Sequence, residues 1–419
     1  MFFARILKIV FCLGLSLFSV PIFAGELLTL DEAVSQALQE NPGFKAEQAK
    51  TEAYKARIGV AKSLDDPMVG VEFYDVPIST RDVTQGMETN YSLIQKIPFP
   101  GKLKSKGKVA ENEYLARRSL LDATKLDLIM QTEHAFHDLY YAQQARIINK
   151  ALRSLWKKLV ASEEARYETG KNSSQNLAKA KIELDKLESE AALLEAKEIQ
   201  EEAKLNVLRH RDPSESVHLA SLPETSHLVP SYETFEKVLL KKHPEIKAVD
   251  FELASQKANV SSARKELALP DFQTRFTYAQ RYGLEDAWTG EVMLNIPFFW
   301  SKNRKALKEA KAMERAMEQE KLAVKDDKLG MLKETYARYQ SSKKIVALFR
   351  VKILPHAKIA LQSAQAAYQI GDEDFLSLVD TARQLKESKL GFLEALVAYH
   401  RSITDLKSAL GVDFTKEDL

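Results

Sequence analysis

Four side chains that could bind a metal ion or transfer a proton lie within one six-residue stretch, EHAFHD. They are Glu133, His134, His137 and Asp138. Residues three or four positions apart share a face of a helix, so one face of this stretch offers at most two ligands, whereas a zinc site uses three or four. This is the best catalytic candidate in the chain. We therefore expect no enzyme, no metal site and no cofactor.

The bulk composition favours long helices and disfavours nucleic-acid binding. The 419 residues include 15 glycines and 13 prolines, which leaves few turns. The 61 basic and 59 acidic residues give a formal net charge of +2, so no overall field would attract nucleic acid. We expect the charges to lie along solvated helix faces and no nucleic-acid partner.

Residues 1–24 have the pattern of a secretory signal peptide. Two basic residues precede an apolar stretch, and small residues follow it. We expect cleavage after Ala24, with an uncleaved membrane anchor as the alternative. The only cysteine, Cys12, lies inside this segment, so the mature chain would have no thiol. After the segment, no apolar run reaches the roughly 18 residues that a spanning helix needs.

The rest of the chain reads as two copies of one unit. LDEAVSQALQENPGFKA, which starts at Leu30, matches YETFEKVLLKKHPEIKA, which starts at Tyr232. The segments IPFPGK and IPFFWSK then correspond, as do YETGKNSSQNL and YQIGDEDFLSL. Such self-similarity decides the architecture. We predict repeat 1 over 25–210, an irregular linker over 211–230, repeat 2 over 231–411 and a tail over 412–419.

Each unit is predicted to contain short helices, one β-hairpin and two long helices. Thr29 and Ser231 are suitable N-caps, and Pro42 and Pro244 fit the first turn of a second helix. Alternation in PMVGVEFY and PDFQTRFTY indicates strands with one apolar face. The expected hairpins cover 67–97 and 270–297, and the expected long helices cover 102–167, 173–210, 301–367 and 373–411.

The returning long helices have the apolar spacing of a coiled coil. Positions recur at intervals of three and four residues, which is the pattern of a coiled-coil seam. The predicted seam residues are Leu177, Ala180, Leu184, Leu187, Ala191 and Leu194 in repeat 1, and Leu396, Tyr399, Ile403, Leu406 and Leu410 in repeat 2.

The two Ile-Pro-Phe junctions are interpreted as the exits of membrane strands. Aromatic residues favour the membrane interface, and lysines just beyond it would meet lipid phosphates. A solvated helix start and packing within a soluble sheet are the alternative interpretations. The predicted interface residues are Phe99, Lys102, Lys104, Phe298, Phe299, Trp300, Lys302 and Arg304.

Four strands per chain predict an oligomer. They cannot close a barrel, and an open sheet edge cannot face lipid. Two copies would give eight strands with a filled interior, whereas three copies would give twelve, which leaves room for a passage. We therefore favour a homotrimer.

These features together resemble the TolC family of outer-membrane efflux proteins over essentially the whole mature chain. The resemblance implies a mainly α fold with a small β part, namely a long α-helical barrel and a transmembrane β-barrel completed by trimerisation. It implies a periplasmic adaptor and an inner-membrane pump as partners, in a Gram-negative bacterium. The sequence QKIPFPGK most resembles the heavy-metal efflux branch of the family, which favours a pump of the resistance-nodulation-division type.

The resemblance also implies two functional regions at the periplasmic end. The predicted adaptor-contact tips contain Gly170, Asn172, Ser173, Leu177, Gly371, Asp372 and Leu378. Acidic residues after the second glycine help to constrict the closed channel in the family, which assigns Asp374 and Asp380 to a periplasmic gate. Ser377 departs from this acidic pattern, and Asp372 and Glu373 are further sources of negative charge.

The predicted function is passive conduction in a tripartite efflux system. Small solutes or metal ions would pass from the adaptor and pump to the exterior. The alternatives are the outer-membrane component of a type I protein secretion system and, less favoured, a structural periplasmic coiled-coil adaptor. A passive conduit needs no substrate pocket, so the residues do not name the cargo.

Overall fold

A computed structural model describes residues 27–170, 173–222, 230–296 and 300–412, with only the backbone of Trp300. The predicted signal peptide, the site residues Asn172, Phe298 and Phe299, and most of the tail lie outside the described residues. Within the described part of the chain, no helix is both long enough and apolar enough to cross a membrane.

The elements follow the same order in both repeats. Repeat 1 contains α1 (Leu30–Glu40), α2 (Pro42–Lys62), β1 (Met68–Tyr74), β2 (Glu88–Ile97), α3 (Lys102–Glu168) and α4 (Ser174–Leu208). Repeat 2 contains α5 (Tyr232–Lys242), α6 (Pro244–Ala268), β3 (Asp271–Arg281), β4 (Ala287–Asn295), α7 (Trp300–Leu348), α8 (Leu354–Ile370) and α9 (Phe375–Leu410).

The short helices begin at the predicted caps. Thr29 accepts a hydrogen bond from the Glu32 backbone N–H at 3.3 Å, and the Glu32 carboxylate accepts one from the Thr29 N–H at 2.9 Å. This reciprocal pair is a capping box. Ser231 caps α5 in the same way through the Thr234 N–H, at 3.4 Å. The prediction of both caps is confirmed.

The four strands form one antiparallel sheet in the order β1-β2-β3-β4. Its central pair joins the repeats, since β2 belongs to repeat 1 and β3 to repeat 2, with Tyr91 opposite Tyr278. Strands β1 and β4 are the edges of this sheet within one chain. In the single chain, apolar side chains of the predicted face in β1 are exposed, and Val69 has 79% of its surface accessible.

The long helices pack in pairs along buried seams. At 1.5 Å per residue, the 67 residues of α3 span about 100 Å. Ala180 and Leu187 of α4 are buried against α3, and Leu406 and Leu410 of α9 are fully buried against α7. These are predicted seam positions, so the coiled-coil prediction holds in both repeats.

The first long helix of repeat 2 is interrupted, which the sequence analysis did not predict. A π-helical segment over Phe349–Ile353 separates α7 from α8, whereas a continuous helix over 301–367 was expected. Pro355 lies in the first turn of α8 and has no N–H to donate to the preceding turn. The ring of Phe349 also lies against Gly391, where a Cβ atom would come within 2.9 Å of it. An extra residue in the turn satisfies both constraints.

Candidate functional site: the coiled-coil tips

Each helical hairpin turns at a glycine in the left-handed conformation. Gly170 has φ +69° and Gly371 has φ +83°. The Gly170 N–H donates to the Tyr167 carbonyl at 2.9 Å, and the Gly371 N–H donates to the Tyr368 carbonyl at 3.3 Å. Among the described residues, and apart from the glycine itself and its chain neighbours, no heavy atom lies within 4 Å of a Cβ placed on either glycine. Backbone conformation, rather than lack of space, is therefore the reason for glycine here.

The residue that restarts each helix is a cap. The Ser173 hydroxyl accepts from the Asn176 N–H at 3.4 Å, and the Asp374 carboxylate accepts from the Ser377 N–H at 2.9 Å. Asp374, predicted as a gate residue, is thus directed at the N-terminus of its own helix, where a negative charge is favourable. Its carboxylate is still exposed to solvent.

Leu378 was predicted to contact the adaptor, and the structure places it elsewhere. Its side chain is 1% exposed and packs in the tip core with Tyr368, Phe375 and Val379. Burial of an apolar side chain stabilises the helix pair, so Leu378 is a core residue. Leu177, its counterpart in repeat 1, is half-buried at the margin of the same core.

The exposed surface of the second tip contains both acids and apolar side chains. Asp372 and Asp380 are exposed, and the Asp380 carboxylate accepts a hydrogen bond from the Gln384 side chain at 3.2 Å. Ile370 is 80% exposed and Leu376 is 47% exposed, on either side of the turn. The sequence analysis missed these two residues. Their signal was an apolar residue on each side of a turn glycine.

A buried contact ties the two tips together. The Tyr368 hydroxyl of α8 donates a hydrogen bond to the Glu163 carboxylate of α3, and Glu163 is fully buried. The guanidinium of Arg166 lies 4.4 Å above the Tyr368 ring. Burial, together with the Glu163 carboxylate, raises the pKa of Tyr368 to about 12. This tie joins repeat 1 to repeat 2 next to the Gly371 turn.

Lys102 was predicted to meet lipid phosphates, and this prediction is wrong. Its side chain is buried, and its ammonium lies 2.8 Å from both Glu266 and Asp271. Burial alone would lower its pKa, but the hydrogen bonds to the two carboxylates raise it. The carboxylates offset the unfavourable position of a cation at a helix N-terminus.

Of the other described residues predicted for the membrane interface, Phe99 is half-buried and the three basic residues are exposed. Phe99 stacks on Phe272 of β3, with 5.9 Å between the ring centroids. The side chains of Lys104, Lys302 and Arg304 are exposed. Their contact with lipid stays a prediction.

The EHAFHD stretch lies on α3 and binds α9. Glu133 accepts a hydrogen bond from Thr404 and lies 3.7 Å from the Lys407 ammonium. The Nε2 atom of His134 lies 2.8 Å from the Asp405 carboxylate. Further contacts in this interface are Asp138 with Arg401 and the ring of His137 with that of His400. The motif therefore joins the two repeats.

Comparison with known proteins agrees with this architecture. The outer membrane efflux protein family matches residues 33–208 and 237–412, one match for each repeat. No curated protein matches the chain significantly.

Three solved structures illustrate the fold. The outer-membrane channel OprN is 19% identical with a TM-score of 0.79, and the alignment covers 91% of this chain and 89% of that one. CusC, studied for transmembrane channel formation, is 19% identical with a TM-score of 0.76 and coverage of 91% and 92%. VceC from Vibrio cholerae is 16% identical with a TM-score of 0.77 and coverage of 92% and 96%.

These matches confirm the predicted family, the internal duplication and the mainly α fold with a small sheet. Proteins of this family are normally trimeric passive channels that work with an adaptor and an inner-membrane pump. The chain belongs to the outer membrane efflux protein family and is an outer-membrane channel component of a tripartite efflux system, extending into the periplasm.

Proposed function

We propose that three copies of this chain form a closed twelve-stranded barrel and a helical tunnel. The observation that carries the proposal is the four-stranded sheet with two open edges and an exposed apolar face. Unpaired edge strands in lipid would leave several backbone groups without hydrogen bonds. Pairing β1 of one copy with β4 of the next satisfies these groups, and the threefold arrangement leaves a passage.

Engineered cysteines test this arrangement. A chain with Val71→Cys in β1 and Val292→Cys in β4, whose side chains lie on the same face of the sheet, should form disulfide-linked dimers and trimers on a non-reducing gel when it is expressed in outer membranes. The matched control carries Ser92→Cys and Thr277→Cys, which are opposite each other within one chain, and it should stay monomeric on the gel. Intermolecular products from the control alone would contradict the proposal.

The cargo is proposed to be small solutes or metal ions, driven by a pump of the resistance-nodulation-division type. The segment QKIPFPGK, which resembles the heavy-metal branch of the family, supports this proposal. Cells lacking the gene should accumulate metal ions or small toxic solutes and recover when it is restored. Loss of a secreted protein from the medium, without solute accumulation, would support a type I secretion role instead.

The tips are proposed to dock the periplasmic adaptor. The residues that support this are the exposed ones near the turns, namely Gly170, Ser173, Ile370, Asp372 and Leu376. We expect Ile370→Asp to abolish efflux while the trimer persists, because a charge replaces an apolar contact. Gln369→Asp adds the same charge one residue away and is the matched control. Equal efflux from both variants would count against docking at this tip.

A further inference from the structure

Two histidines face each other in the interface between the repeats. His137 of α3 is 2% exposed and His400 of α9 is 6% exposed. Their ring centroids lie 5.5 Å apart with an angle of 40° between the planes. Within the described residues, neither ring nitrogen of His137 has a hydrogen-bond partner. A buried polar group without partners costs stability, so the pair requires an explanation other than tight packing.

The surroundings of the pair are unfavourable for positive charge. Ionisable groups on the elements packed around the pair are Glu133, His134 and Asp138 on α3, Arg401, Asp405 and Lys407 on α9, and Arg338 and Tyr339 on α7. Each of the three carboxylates has partners on another helix. Glu133 contacts Thr404 and Lys407, and Asp138 contacts Arg401. Asp405 contacts His134 and Arg338. The nearby cations Arg401 and Lys407 therefore oppose a proton on His137.

Both rings are neutral at pH 7 in the folded chain. Burial lowers the pKa of His400 to about 4. Burial also lowers the pKa of His137 well below its usual value, and the positive charges of Arg401 and Lys407 act in the same direction. In an unfolded chain, each histidine would take up a proton near pH 6.5.

The same surroundings argue against a metal site. Two imidazoles are good ligands for copper or zinc. A cation there would meet the positive charges of Arg401 and Lys407. The adjacent carboxylate of Glu133 already faces the Lys407 ammonium at 3.7 Å, so little negative charge is left to compensate.

We propose that His137 and His400 form an acid-sensitive contact between the two repeats. The neutral rings pack together and hold α3 against α9. A proton on either ring places a charge in a buried interface beside other cations, which drives the two helices apart. Acidification of the periplasm thereby weakens the contact between α3 of repeat 1 and α9 of repeat 2. The contact lies within one chain, so it does not depend on the proposed cargo or partners.

The direction in which folding stability changes with pH follows from the proton affinities of the folded and unfolded states. Because the folded state binds these protons more weakly than the unfolded state, stability is full above about pH 6.5 and is lost as the pH falls towards about 4. For His400 alone, the folding equilibrium constant should fall about 20-fold between about pH 7 and about pH 5. His137 adds to this loss in the same direction.

Thermal unfolding of the full mature trimer in detergent micelles tests the proposal. Far-ultraviolet circular dichroism follows the helices at a series of pH values between about 7.5 and 4.5. The parent should lose thermal stability as the pH falls below about 6.5, and the double variant His137→Leu, His400→Phe should lose clearly less. The control His356→Gln removes an exposed histidine of α8 and should behave like the parent. The same pH dependence in the double variant and the parent would overturn the proposal.

A second measurement uses the unmodified chain and remains decisive if the double variant does not fold. Hydrogen–deuterium exchange, corrected for its intrinsic pH dependence, should increase at about pH 5 in peptides over 130–145 and 393–410. Peptides at the tips should change less. A uniform increase along the chain would contradict a local contact. Stabilisation of the parent by cuprous or zinc ions that the double variant loses would identify a metal site and overturn the acid-sensitive contact.

Discussion

The two repeats follow the same path but differ in how their first long helix is built. In repeat 1, α3 is continuous over 67 residues. In repeat 2, the corresponding path is divided into α7 and α8 by the π-helical segment Phe349–Ile353. Single π-helical turns inside α-helices often lie at functional sites. The comparison teaches that duplication preserved the architecture, whereas the interruption of the first long helix is confined to the second hairpin.

The tips differ in the same sense. Tyr368 is buried and bonded to Glu163, whereas its counterpart Tyr167 is 48% exposed. Lys179 of repeat 1 occupies the position of Asp380 in repeat 2. We therefore expect the buried Tyr368 contact to restrain the second hairpin more than the exposed Tyr167 restrains the first.

The largest effect is expected when the interruption is transferred to repeat 1. The pairing of Tyr167 with Tyr368 places Ser154 at the position of Pro355. Ser154→Pro removes a backbone hydrogen bond from α3 and should cost about 3 kcal/mol or more of unfolding free energy. Denaturant unfolding followed by circular dichroism measures the loss. Ser154→Ala is the control and should be close to neutral, because Ser154 is exposed. Equal stability of the two variants would mean that α3 tolerates a break.

The second effect compares the two sides of the tip core. Leu378→Ala should cost about 2–5 kcal/mol of unfolding free energy, because a fully buried leucine leaves a cavity. Leu177→Ala, at the half-buried counterpart, should cost clearly less. Denaturant unfolding of the two variants under the same conditions gives the difference. A larger loss for Leu177→Ala would reverse the assignment of the tip core.

Sequence patterns were sufficient for the elements but not for the direction of side chains. Long stretches without proline predicted the long helices, and capping residues predicted where the short helices begin. Leu378 was assigned to the adaptor-contact tip through the family resemblance, yet its own helix directs it inward. Lys102 was assigned to lipid because it follows a strand end, yet two distant carboxylates bind it. The contacts of Lys102 join residues far apart in the chain, so no local pattern shows them.

The helix interruption also depended on distant packing. Pro355 was visible in the sequence, but a proline in a long helix can produce a kink, a break or an extra residue. The ring of Phe349 against Gly391 of α9 favours the extra residue. No local pattern links Phe349 to Gly391.

The third prediction concerns the buried hydrogen bond between Tyr368 and Glu163. Tyr368→Phe keeps the ring and removes the hydroxyl, so the buried Glu163 loses one hydrogen bond, at a cost of about 1.5–3 kcal/mol. We expect the closed state to be destabilised and the channel to open more often in a planar lipid bilayer. Tyr167→Phe is the matched control in repeat 1 and should leave conductance unchanged. If the two variants conduct alike, the Tyr368 contact does not hold the tip closed.

The smallest effect on stability, and the most specific effect on conduction, concerns the charges at the proposed gate. Three copies of the second tip around one axis would bring three Asp380 carboxylates into a ring, and three Asp374 carboxylates into another. Like charges so arranged repel one another and attract cations. The closed mouth should therefore prefer cations and be blocked by multivalent ones.

Neutral amides at these positions test the gate with little change in structure. Asp374→Asn keeps a good helix cap, and Asp380→Asn keeps an oxygen that accepts from Gln384. Both variants should retain stability but lose part of the cation preference and of the block by multivalent cations, as recorded from single channels in a planar bilayer. Lys179→Gln removes a charge at the matched position of repeat 1 and should change selectivity less, because the proposed gate belongs to the second hairpin. If both aspartate variants keep the parent's selectivity and block, these acids are solvated residues of a helix end. Any closure of the tip would then depend on the contacts of Ile370, Leu376 and Tyr368 alone.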